Sequence, residues 1–147
     1  MLPIPTDSQE FIALLNSHDV KYVIVGGYAV AFHGHPRMTG DIAVFVESPL
    51  ENAGKLERVL NAFGFAGLGL AAGDFREPET IIQLGFPPNR IAIITSLSGV
   101  DFATVWDSRV SYQDEGLSMC FIDKPNLLAN KLASGRSKDL ADRDALS

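Results

Sequence analysis

A chain of 147 residues, 46% hydrophobic and 20% charged, has the length of one domain and ample apolar material for a core. These values exclude an intrinsically disordered chain, and no stretch approaches the ~18 unbroken apolar residues of a membrane span. The lone Cys120 excludes a disulfide scaffold and a cysteine-based zinc site. The opening MLPIPTDSQE has neither a basic nor an apolar leader region, so a cytoplasmic domain without membrane contact is expected. A formal net charge of −6 and a pI of about 4.9 weigh against long nucleic acid as a tight partner. The one locally basic stretch begins at Lys124 and holds Lys131, Arg136, Lys138 and Arg143 among Asp139, Asp142 and Asp144. A solvated helix face accounts for such a stretch without any ligand.

No repeat, linker or low-complexity tract divides the chain, so residues 1–147 are read as a single domain. Thr6 with Gln9, or Asp7 with Glu10, offers a capping box, and Phe11, Leu14 and Leu15 then share a helix face. Residues 16–19 end that helix. The β-branched run 21–25 predicts a buried strand, broken by Gly26 and Gly27, where a short helix to His33 starts. Residues 33–40 form a loop, 41–46 a second strand, and Pro49 opens a helix through Phe63. Residues 65–73 are glycine-rich and carry no clear element. Strands follow at 80–84 and 90–95, a short helix at 100–106 and a late strand at 119–122. Two helices close the chain at about 124–133 and 137–146, the second capped by Ser137. The order α-β-α-β-α-β-β-α-β-α-α predicts an α+β fold with a mixed sheet.

Chemistry concentrates at two places. Adjacent glycines after a strand let a backbone approach a phosphate closely, although an ordinary tight turn explains them equally well. Their spacing matches neither a dinucleotide fingerprint nor a P-loop. Asp41 heads an apolar strand whose alternation places Asp41, Ala43 and Phe45 on one face and Ile42, Val44 and Val46 on the other. A carboxylate there is costly unless ligated or hydrogen-bonded; a strand-start aspartate held by backbone amides is the plain alternative.

Taken in order, Val25-Gly26-Gly27-Tyr28-Ala29, His33 through Thr39, and Asp41-Ile42-Ala43-Val44 resemble the nucleotidyltransferase superfamily of DNA polymerase β. Within it the chain is most similar to minimal nucleotidyltransferases and AbiEii-type toxins. Further matching pieces are residues 87–93, Gly99-Val100-Asp101-Phe102, and Lys131 through Asp142. The resemblance implies one α+β domain, a mixed sheet with flanking helices and a helical C-terminal segment. It implies Mg²⁺-dependent transfer of a nucleoside monophosphate from an NTP to a hydroxyl on a protein, a tRNA end or a small molecule. Gly26 and Gly27 would cradle the triphosphate. Asp41 would be the first of two metal-binding aspartates at i and i+2, with a third on a neighbouring strand.

Mg²⁺ demands oxygen ligands in an octahedron, and a metal pair clamps the attacking and leaving oxygens. Here the sequence departs from the family: Ala43 and Ala92 stand where the second and third aspartates belong. One carboxylate of three remains, so a chain without transfer activity is expected, with weak or no Mg²⁺ binding. Alanine is the smallest truncation of aspartate, which fits a deliberately disabled enzyme; a natural pseudoenzyme fits as well. Arg37 and His35 in the loop, and Arg90 on the face of Ala92, are candidate phosphate contacts. Lys131, Lys138 and Asp139 match a basic-acidic signature that borders the nucleotide in the toxin-like relatives. A surface ion pair of Lys138 with Asp142 at i, i+4 is the competing reading. His18, His33 and His35 lack metal-cluster spacing, and Trp106 and the phenylalanines read as core. The alternatives from other classes are a silent nucleotide-binding module, an interaction module with an antitoxin-like partner, and a structural domain with no ligand.

Overall fold

The computed structural model describes residues 4–34, 41–47, 50–64, 81–85, 90–114 and 116–146. Helix α1 spans Thr6–Ser17 and buries Ser8, Phe11, Ile12 and Leu15. Neither expected capping box forms: Pro5 takes the cap position, and the Gln9 amide donates instead to the Ile4 carbonyl at 2.7 Å. Strand β1 (Tyr22–Val25) is buried at every residue and passes directly into α2 (Gly26–Phe32). Then come β2 (Asp41–Val46), α3 (Leu50–Ala62), β3 (Ile81–Leu84), β4 (Arg90–Ile94) and α4 (Phe102–Asp107). The chain ends with β5 (Val110–Asp114), β6 (Leu117–Phe121), α5 (Lys124–Ser134) and α6 (Ser137–Leu146). Pro49, Thr80 and the glycine-rich stretch lie outside the described residues.

Two local expectations are corrected. Strand β5 was not expected; its burial alternates between half-buried and exposed, so its two apolar residues, Val110 and Tyr112, leave little hydrophobic signal. Ser137 is the first residue of α6 rather than a cap preceding it. No described helix is long and apolar enough to cross a membrane.

The strands form a mixed sheet in the order β3-β4-β2-β1-β6-β5. β1 runs antiparallel to β2 and parallel to β6, and β2 runs parallel to β4. The hairpin partners β3–β4 and β5–β6 are antiparallel. On one face Tyr22, Ile24, Ile42, Val44, Val46, Ile91 and Ile93 are all buried. Helix α1 covers this face: the Tyr22 hydroxyl donates to Asn16 Oδ1 at 2.9 Å. Helix α3 lies beside α1, with Phe11 edge-on to Phe63 at 5.4 Å between ring centres. Buried Asn52 of α3 fixes the strand ends beneath it. It accepts from the Lys21 amide at 2.7 Å and donates to the carbonyls of Lys21 and Glu47 at 3.2 and 2.7 Å.

The opposite face carries α2 and α4. Asp101 caps α4 by accepting from the Thr104 amide at 2.8 Å, and Phe102 meets Phe45 edge-on. The preceding turn presses against α5, where Asn130 donates to the Ser98 carbonyl at 3.0 Å. Gly99 makes this approach possible: it has φ +80°, and a Cβ there would stand 2.6 Å from the Ala133 Cβ. Gly99→Ala combines left-handed backbone strain with overpacking and is expected to cost about 2–4 kcal/mol in denaturant unfolding. A loss below a few tenths would show that the turn does not seat on α5.

Candidate functional site

The site begins where β1 meets α2. Gly26 has φ +69°, a conformation that favours glycine, and its missing Cβ would lie 3.5 Å from the Cβ of Ala43. Gly27 follows within the first turn of α2. Tyr28 of the same helix is buried. Desolvation raises its hydroxyl pKa, and the negative charge of Asp41 raises it further. Its ring thus lies within electrostatic reach of the strand that carries Asp41.

The parallel register of β2 and β4 does the rest. Asp41 is paired with Arg90 and Ala43 with Ala92; on the far side of β4, Gln83 is paired with Ala92. Directly paired residues project to the same face, so Asp41, Ala43, Gln83, Arg90 and Ala92 share one side of the sheet. The expected alternation within β2 and the expected placing of Arg90 with Ala92 both appear in this pairing. Arg90 closes on its neighbour: Nε and Nη2 both donate to Asp41 Oδ2, at 3.0 and 2.8 Å. Each side chain of the pair is 30% exposed. Asp41 is therefore held by a side-chain cation, not by the strand-start amides of the plain alternative alone.

These residues do not fit a magnesium pair. Ala43 and Ala92 offer no oxygen, and the Asp41 oxygen facing β4 is already an acceptor for two guanidinium N–H groups. Among the described residues no three His, Cys, Asp or Glu side chains come together as a metal-binding group.

A second set gathers between α5 and α6. Lys131 is buried, with its Nζ 3.3 Å from Asp139 Oδ1 and 3.3 Å from Asp142 Oδ2. Asp139 also accepts from Ser134 Oγ at 2.9 Å and from Arg136 Nε at 2.7 Å. Burial alone would push the Asp139 carboxyl up. The Arg136 and Ser134 hydrogen bonds and the Lys131 charge overcome that and hold it at about 2. The surface pair of Lys138 with Asp142 is not formed: Asp142 turns inward onto Lys131, while Lys138 is exposed.

Arg37 and His35 lie outside the described residues. His33 is tied to the Ile122 carbonyl at 2.6 Å, and His18 closes α1, in keeping with structural roles. Trp106 is half-buried rather than core, with the Arg109 guanidinium 3.7 Å from its ring centre. Sequence reasoning missed Gln83 and Tyr28 as neighbours of the site. Gln83 becomes visible once the β3–β4 register is known; Tyr28 could have been flagged as the polar residue in an otherwise apolar helix start.

The α5–α6 cluster makes two expectations measurable. Replacing Lys131 with Met removes the buried ammonium that two carboxylates share and should cost about 3 kcal/mol of unfolding free energy. Because the Asp139 carboxyl is depressed on folding, its contribution is complete above its ordinary value of 3.8 and lost as pH falls toward 2. Acid unfolding should therefore show a fall of about 2 kcal/mol over that window, and Asp139→Asn should flatten it.

Two solved structures share this architecture. A protein of Thermotoga maritima assigned as a nucleotidyltransferase matches with a TM-score of 0.64 at 15% identity, over 94% of this chain and 88% of its own. An antigenic nucleotidyltransferase-like protein of Paracoccidioides brasiliensis matches with a TM-score of 0.56 at 16% identity, over 99% of this chain and 78% of its own. No family model matches the sequence, and neither does any curated protein. The likeness thus lies in the path of the backbone, which is shared over nearly the whole chain: this protein has the nucleotidyltransferase fold.

Proposed function

We propose that this chain is a nucleotidyltransferase-fold protein whose transfer chemistry is silenced at the metal-binding positions. The fold's ancestral reaction would move a nucleoside monophosphate from an NTP to a hydroxyl acceptor and release pyrophosphate, with Mg²⁺ supplying the charge neutralisation. The observation that supports silencing is the β2–β4 register: it sets Ala43 beside Ala92, with Asp41 ion-paired to Arg90 at 2.8 Å. Of the residues expected to meet nucleotide, Gly26 has the positive-φ backbone that favours glycine, Gly27 lies in the first turn of α2, and Arg90 lies on the same side of the sheet as Asp41. Lys131 and Asp139 contribute first to the α5–α6 contact; exposed Lys138, and Arg37 outside the described residues, complete the proposed nucleotide contacts.

Without the second and third carboxylates to hold metal and accept the hydroxyl proton, a rate loss of at least about 10²–10⁴ is expected. The test incubates labelled NTPs with excess Mg²⁺ and a cell extract supplying acceptors. The chain as it stands should label nothing, whereas the Ala43→Asp, Ala92→Asp variant should label an acceptor that can then be identified. Labelling by both would overturn the silencing. Labelling by neither, with NTP still raising the melting temperature, would favour a non-catalytic nucleotide-binding module, the second reading that an intact Gly26 and Arg90 allow. No labelling and no thermal shift would leave a structural or partner-binding domain.

A further inference from the structure

We infer that Arg90 is the built-in counter-ion of Asp41, a cation held on the strand beside it that weakens divalent-metal binding there, over and above the loss of the two aspartates. This rests on reading Asp41, Ala43 and Ala92 as the metal-binding positions. Arg90 and Asp41 are register partners on adjacent strands, both inner strands of the sheet, so their approach is set by backbone hydrogen bonding and needs no loop to close. Two N–H groups converge on one carboxylate oxygen, and at 30% exposure the attraction is screened less than on an open surface.

The guanidinium presents a planar fork of donors to Asp41, so the contact is geometric as well as electrostatic. A divalent ion seated on Asp41 Oδ2 would have to displace Arg90. The displaced charge would remain nearby, because Arg90 sits two residues before Ala92 on the same face of β4. Buried Tyr28, whose hydroxyl pKa is raised by desolvation and then by the Asp41 charge, adds no negative charge to offset it.

The experiment measures Mn²⁺ binding from the electron paramagnetic resonance signal of the free ion, without nucleotide or acceptor. The chain carrying Ala43→Asp and Ala92→Asp is compared with the same chain also carrying Arg90→Gln, at about 0.15 M salt so that remote charges are largely screened. Loss of Arg90 should tighten Mn²⁺ binding by about tenfold or more, the scale set by a charge-assisted pair that must otherwise be broken. Arg58→Gln, which removes an equal charge from exposed α3, should leave the affinity unchanged. Ala92 is buried and Ala92→Asp puts a carboxylate there, so the folding of each variant is checked by circular dichroism. The half-buried Ala43→Asp background, with and without Arg90→Gln, supplies the same comparison.

Equal Mn²⁺ affinity with and without Arg90 would overturn the inference, showing that the arginine swings aside at no cost. An equal gain from Arg58→Gln would overturn it too, by reducing the effect to net charge. Tight Mn²⁺ binding by the Arg90→Gln variant with no nucleotide transfer would sink the transferase reading and leave the role of Arg90 standing.

Discussion

Everything on the Asp41 side of the sheet follows from one register, the parallel pairing of β2 with β4 that sets Asp41 against Arg90 and Ala43 against Ala92. A slip of one residue would carry Asp41 to the face packed by α1 and put Ile42 or Val44 in its place. That alternative is blocked from the other side of β2. Its antiparallel pairing with β1 matches Ile24 to Val44 and Tyr22 to Val46, all buried, and Asn52 holds Lys21 and Glu47 at the open end. The polar pair is thus positioned by apolar residues on the opposite face. Its geometry inherits the precision of the core, not the latitude of a loop.

Much of this arrangement was legible in the sequence because a strand has a period of two. The alternation Asp41, Ala43, Phe45 and the step from Arg90 to Ala92 are local facts, and the structure keeps both. The break at Gly26 was legible for the same reason: a β-branched run cannot continue through a residue with φ +69°. What could not be read was anything that depends on which strand lies next to which. The ion pair between Asp41 and Arg90 joins residues 49 apart, and no spacing announces it. Thr6 does not cap α1 because the Gln9 backbone N–H that it would receive donates to the Pro5 carbonyl, and the Gln9 side chain turns to the Ile4 carbonyl.

The C-terminal helices show a different limit. Lys138 and Asp142 sit at a helical spacing that favours a pair, and yet Asp142 faces inward. The deciding factor is Lys131 on the preceding helix, which would otherwise be buried without a partner. Two aspartates from α6 converge on it, and Ser134 and Arg136 satisfy the remaining oxygen valences of Asp139. Burying three charges is an expensive way to join two helices. What it provides is a single geometry, since no sliding of α6 along α5 keeps both carboxylates on one ammonium.

The place of β1 in the sheet has a consequence for how the chain is made. β1 lies between β2, its near neighbour in sequence, and β6, which Asn16 and Ser118 bridge across a separation of 102 residues. Until β6 leaves the ribosome, one edge of a wholly buried apolar strand has no partner, and neither Ile24 nor the strand beside it is fully enclosed. Such a topology ties completion of the core to the last quarter of the chain. It leaves the nascent protein with an unpaired apolar edge, open to pairing with other chains, during the interval in which its central strand still lacks β6.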